Sequence, residues 1–168
     1  MRVVFRLENH FVLCQHTGQE DGSLVYENTN LQKGAISSNG PVTELSYMAQ
    51  GKWESFVLNH GVKEQVSVIS LRPGGIIYLH YHPHRRRYIF RKSGKYGGRF
   101  DLLNRSKEEI ITLLPNINWL QRGHEYSLQI NEEHRNECTT LLILHTVHCA
   151  NCLLGIINGS EVPALVDI

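Results

Sequence analysis

The sequence predicts an all-β barrel, and three observations carry that expectation. Helical periodicity is almost absent along the 168 residues. Short runs rich in β-branched and aromatic residues follow one another, separated by Gly, Asn, Ser and Asp. The stretch Pro73–Gly94, PGGIIYLHYHPHRRRYIFRKSG, opens on a glycine turn, alternates through Ile76, Tyr78, His80, His82 and His84, and closes on another glycine. Inward-facing histidines on a short strand suggest a barrel with something at its mouth.

Taken in order, the first strands are Val3–Leu7 and Phe11–Gln15, followed by a polar segment in which only Leu24–Tyr26 looks extended. Val42–Met48 and Ser55–Leu58 pair before Asn59-His-Gly61 turns the chain. Residues 1–60 therefore read as N-terminal strands or arms packed on a barrel formed by residues 61–168. From Gln65 the pattern tightens: Gln65–Leu71, the Pro73-Gly-Gly75 turn, then Ile76–His82. Pro83 lacks a backbone donor, so the ladder frays there. Arg87–Arg91 and Arg99–Leu103 flank the glycine-bearing connection 93–98, and Ser106–Glu109 is a helical turn or loop. Ile110–Leu114 and Asn116–Leu120 come next. His124–Asn131 alternates, with His124, Tyr126, Leu128 and Ile130 on its apolar face. Thr139–Val147 is apolar on both faces and is expected to be a central strand. Leu153–Ile157 and Val162–Ile168 add short strands.

Length and composition fit one domain with a core of its own. No run of about 18 apolar residues suggests a transmembrane helix. The charged start, MRVVFRLENHF, does not read as a signal peptide, so a cytosolic or nuclear protein, or a piece of a longer chain, is expected. Cys14, Cys138, Cys149 and Cys152 are then expected to be reduced. The formal charge of +1 conceals an asymmetry. Residues 85–99 hold seven of the 17 Lys and Arg (Arg85, Arg86, Arg87, Arg91, Lys92, Lys95, Arg99) and no acid, leaving ten bases against 16 acids elsewhere. Such a segment is either a solvated hairpin or a patch for an acidic partner or nucleic acid phosphate.

Two segments resemble the paired motifs of the cupin superfamily. Gly75, His80-x-His82, Arg87 and Gly94 match the first; Leu120–Asn131, followed by the apolar stretch 139–147, matches the second. The resemblance implies a cupin-like jelly-roll barrel. The acidic metal ligand of that pattern is replaced by Arg87 (or Arg86, with a one-residue slip), and the second-motif histidine by Tyr126. A cation where a carboxylate belongs disfavours a bound metal. Among cupins without a metal site, Arg122-Gly-His-Glu-Tyr-Ser-Leu128 and Tyr88-Ile-Phe90 are similar to the C-terminal cupin of the centromere protein C and Mif2 family. That resemblance implies a homodimer and protein-binding module in a centromere or kinetochore scaffold, located in the nucleus.

A competing reading is a metal-dependent cupin oxygenase or isomerase, with His80, His82, His84 and His124 around Zn or Fe. A viral jelly-roll capsid or accessory protein is a third reading. His145, His148, Cys149 and Cys152 form a second candidate zinc set, set against buried, reduced cysteines. No phosphate loop, dinucleotide fingerprint or nucleophile motif is present. Trp53 and Trp119 read as core or interface anchors. If Thr139–Val147 is a strand, its outer residues Leu141, Ile143 and Val147 need cover from residues 1–60, the tail or a second subunit, and a twofold dimer interface burying them would be self-complementary.

Overall fold

A computed structural model describes residues 1–6, 9–28, 30–94, 98–118 and 123–157. Twelve strands run antiparallel in a closed barrel: β1 Arg2–Arg6, β2 His10–Cys14, β3 Glu20–Tyr26, β4 Lys33–Ser37, β5 Thr43–Ala49 and β6 Lys52–Asn59. The second half is β7 Val62–Arg72, β8 Ile76–Tyr81, β9 Arg86–Ser93, β10 Arg99–Leu103, β11 Glu109–Asn118 and β12 Gly123–Ile130. Each strand pairs with its sequence neighbours, and β1 closes the ring on β12 through Arg2↔Ser127 and Val3↔Tyr126. The expected all-β barrel is there. Its strand order is sequential, without the Greek-key crossings that define a jelly roll. Of the strands or arms expected in residues 1–60, strands are what form: β1–β6 supply half of the wall.

Local chemistry explains the meander. At the β6–β7 turn His60 and Gly61 have φ of 49° and 77°, the paired left-handed conformations of a two-residue hairpin whose twist suits the flanking strands. The predicted Asn59-His-Gly61 turn therefore stands where the sequence placed it. The Pro73-Gly-Gly75 turn between β7 and β8 stands as well.

β4 is not among the expected strands, β3 is longer than expected, and the strands expected at Ile110–Leu114 and from Asn116 run together as β11. Two further differences concern orientation and type. In β8 the buried residues are Ile77, Leu79 and Tyr81, so Ile76, Tyr78 and His80 face outward. Both sets contain large apolar side chains, and a one-residue change of parity exchanges the faces of a strand. The second difference is larger: Thr139–Val147 is no strand but the start of an α-helix, α1, Thr140–Ile157, which also absorbs the expected strand Leu153–Ile157. An apolar run without a polar stripe suits a buried strand or a buried helix equally. Barrel size decides between them. Side chains alone fill the interior of about eight strands, whereas a twelve-stranded wall encloses a wider lumen. A helix fills that lumen while satisfying its own backbone hydrogen bonds. Thr139 caps it, its Oγ1 accepting from the Leu142 N–H at 3.2 Å. α1 packs against β3 and β4 on one side of the ring and β9 and β11 on the other, as an axial helix must.

Burial follows from this threading. Leu142, Leu144, Val147, Cys149 and Cys152 are inaccessible to solvent, and Leu153 nearly so. Each buried leucine contributes about 1.5–3 kcal/mol. Ile143 and Val147, expected on an exposed sheet face at a dimer interface, lie inside the barrel, which leaves only Leu141 partly exposed. Trp53 is fully buried, with Nε1 donating to the Leu31 carbonyl at 2.9 Å, and is the core anchor expected. Trp119 and Val162–Ile168 lie outside the described residues.

The polar groups of α1 are matched by the wall. His145 Nδ1 donates to the Leu141 carbonyl at 2.7 Å, so its Nε2 accepts from Ser55 Oγ at 2.8 Å, and Ser55 in turn meets Ser67 at 2.7 Å. The Tyr26 hydroxyl accepts from Asn151 Nδ2 at 3.2 Å and donates to His148 Nδ1 at 2.8 Å. His148 Nε2–H then faces Cys152 Sγ at 3.5 Å. Asn151 Oδ1 accepts from the Tyr126 hydroxyl at 2.7 Å and from His124 Nε2 at 2.9 Å. Such a network fixes the rotation of the helix in the lumen, because a slip would leave buried donors unpaired.

Candidate functional site

The arginine run lies where β8 turns over into β9 at the barrel mouth. β8 ends at Tyr81, and Pro83 sits within a single 3-10 turn, His82–His84, where its missing N–H costs nothing. Arg85 follows with φ of 48°, its N–H donating to the His82 carbonyl at 2.9 Å, and this left-handed residue reverses the chain. The reversal leaves Arg85 exposed at the tip. In β9, alternation sends Arg86 to the side of buried Tyr88 and Phe90, and Arg87 to the outer side. Arg87 Nε donates to His80 Nε2 at 2.8 Å, and its guanidinium lies 5.7 Å from the Tyr78 ring centroid, within cation–π range.

The facing wall comes from the 104–108 loop and a 3-10 segment, Glu132–Glu137, that leads into α1. Asn131 starts that segment, its side chain accepting from the Glu133 N–H at 3.1 Å. The Glu137 carboxylate is largely buried between the walls. It accepts from Arg86 and, at 3.3 Å, from the Tyr88 hydroxyl, and His134 Nδ1 lies 2.6 Å from it. Glu108 accepts from Asn104 and lies 3.6 Å from His134 Nε2. Between the walls is a cleft of ≈ 1460 Å³, lined among others by Arg85, Arg86, Arg87 and Arg105. Among the described residues, Arg85 and Arg105 have no carboxylate partner.

The electrostatics of the cleft follow its burial. Desolvation, and next the Glu137 charge, push the Tyr88 hydroxyl well above its ordinary range, so it stays a donor. His84 is held below the usual imidazole value by burial, and Arg86 adds to that while Glu137 opposes it. His80 is lowered by burial first and then by Arg87 and His82. A neutral His80 is what lets its Nε2 accept from Arg87.

The predicted patch thus divides. Arg85, Arg86 and Arg87 line the cleft; Arg91 and Lys92 are exposed farther along β9. Arg99 is committed to Asp101 at 2.7 Å and to Glu109, and Lys95 lies outside the described residues. The four histidines of the metal reading do not converge. His80 is on the outer face with Nε2 bonded to Arg87, and His82 and His84 sit in the rim turn. His84 Nδ1 meets the Tyr88 hydroxyl at 3.0 Å, and His124 is inside the barrel on Asn151. His145, His148, Cys149 and Cys152 belong to the core of α1. Burial lowers His145 to about 4, and burial together with the nearby His145 lowers His148 to about 3. Burial raises both thiols. Among the described residues no group of three or more His, Cys, Asp or Glu is arranged to hold a metal ion.

Sequence reasoning missed Glu137, His134 and Arg105. They lie in the connections between expected strands, and Glu137 reaches Arg86 across 51 positions, a pairing that no local pattern encodes.

No protein-family model matches the chain, and no curated protein matches it. One solved structure similar to it is a protein of unknown function from Bacteroides fragilis, with 11% identity and a TM-score of 0.21. The match covers 76% of this chain and 94% of that one.

Proposed function

We propose that the protein is a non-catalytic protein-binding module whose mouth cleft takes an acidic segment of a partner. The observation that carries this is the arginine wall, in which Arg85 and Arg105 reach the cleft without a described carboxylate partner. Arg87 also faces it, and among the described residues its contacts are a neutral imidazole and a ring rather than a carboxylate. Unpaired guanidiniums on a concave surface are ready to make charge-assisted, bidentate contacts to carboxylates.

The narrower reading, a homodimeric cupin of a centromere scaffold, rests on sequence resemblance alone. Arg122, which anchors that resemblance, lies outside the described residues, and the sequential strand order does not support the jelly-roll premise. Self-association through Leu141, Ile143 and Val147 does not carry over either, because α1 buries two of the three in the lumen. The enzyme alternative needs its histidines gathered around one ion, and among the described residues no group of three or more ligand side chains supports that reading.

The test is the binding of a fluorescently labelled acidic peptide, followed by anisotropy across a salt series. Arg85→Glu with Arg87→Glu is expected to weaken binding by about tenfold or more, roughly 1.4 kcal/mol, and to flatten the salt dependence. Unchanged affinity in that variant would overturn the proposal.

A further inference from the structure

A second cleft, of ≈ 630 Å³, lies at the same mouth, and His82 lines both. The second is chemically unlike the first. Its walls include Pro41, Val57, Val66, Pro83 and Leu141, and Glu64 is its one charged carboxylate among the described residues. The two meet at the 3-10 turn His82–His84, so a strip of surface runs from the 104–108 loop past the arginines, across His82, to the Ser38–Pro41 turn. This strip follows the rim above the start of α1, since Thr139, Thr140 and Leu141 form part of the second cleft.

We propose that both clefts are filled by one extended peptide segment of a partner protein, acidic along the arginine half and uncharged and apolar along the half between Pro41 and Leu141. This deepens the binding-module reading and rests on it. Charge complementarity selects the occupant. A carboxylate-bearing stretch matches Arg85, Arg87 and Arg105, but the same cleft carries Glu108 and Glu133, and the second carries Glu64. A polyanion of uniform charge, such as a nucleic acid backbone, would meet carboxylates along the whole strip and gain cations along only half of it. A segment whose charge ends where the arginines end avoids the repulsion from Glu64, which no arginine of the second cleft offsets, and buries its apolar part against Val57, Pro83 and Leu141. Rejection of uniform polyanions is then built into the surface.

The experiment uses four labelled peptides against the full chain: an acidic one, an uncharged apolar one, and two fusions of them, one in each order. One fusion order is expected to bind about tenfold more tightly than the acidic peptide alone. Pro41→Glu, at an exposed turn residue, should remove that increment and leave binding of the acidic peptide unchanged. Arg87→Glu should weaken both. If the acidic peptide binds and neither fusion binds more tightly, the two-cleft inference is overturned while the binding-module reading stands. If none of the peptides binds, both fall. Tighter binding of a single-stranded oligonucleotide than of either fusion would overturn the peptide assignment.

Discussion

Lowering the pH from 7 to 5 should destabilise this protein steeply, and the two histidines of α1 set the size of the effect. An imidazole in the unfolded chain titrates near 6.5, whereas burial in the lumen holds His145 at about 4 and His148 at about 3. Folded values below unfolded ones mean that the unfolded state takes up protons first. The contribution to stability is therefore complete above about pH 6.5 and is lost as pH falls through 5 toward 4 and 3. At pH 5 each unfolded histidine has gained about 2 kcal/mol of protonation that its folded counterpart has not, or about 4 kcal/mol for the pair. His124, lowered mainly by its own burial, adds in the same direction. Against a typical total of 5–15 kcal/mol this is a large fraction. Urea unfolding followed by tryptophan fluorescence at pH 7, 6 and 5 reads it directly, because Trp53 lies 5.3 Å from the His148 ring and reports on the core. The slope should approach about 2.7 kcal/mol per pH unit near pH 5, two protons' worth, and His145→Gln with His148→Gln should remove most of it. Flat stability between pH 7 and 5, or a full slope in the double variant, would refute the placement of these histidines in a dry lumen.

Two further outcomes test the same packing. Gly22 on β3 faces α1 so closely that an added Cβ would lie 2.6 Å from the Ser37 carbonyl oxygen and 2.7 Å from Thr140 Cγ2. Gly22→Ala is therefore expected to cost about 1–3 kcal/mol by urea unfolding, and an unchanged midpoint would count against the helix lying against that strand. Cys149 and Cys152 are fully buried with raised thiol pKa values. They should resist a thiol reagent until denaturant is added, and rapid labelling of the native protein at either position would contradict a closed lumen.

The sequence made the wall of the barrel largely legible and left its contents hidden. His124–Ile130 alternates between apolar and polar residues, so its inward face was readable, and Tyr126 and Leu128 are buried as that face requires. Ile76–Tyr81 is apolar on both parities, so position could be read there but orientation could not. Residues 1–60 carry short strands with exposed and glycine-bearing positions, such as Gly22 and Gly34, and look peripheral until β1 is seen to close the ring on β12. The α1 segment was the hardest. Its all-round apolarity records burial, not conformation, and a strand long enough to be central and a helix wide enough to fill a lumen leave the same signature. At the candidate site the arginine run announced itself through composition. The carboxylates and Arg105 that make a cleft of it come from the loop after β10, which pairs with β9, and from the 3-10 segment before α1, and no local pattern marks either as its neighbour.

The central claim is that the mouth cleft is where a partner binds, and titration of isotope-labelled protein with an acidic peptide, followed by amide chemical shifts, tests it most directly. The account predicts that progressive shifts cluster at Arg85–Arg87, at the 104–108 loop and at Glu133–Glu137, while α1 within the lumen stays unchanged. Shifts centred elsewhere on the barrel wall, or none at saturating peptide, would contradict it.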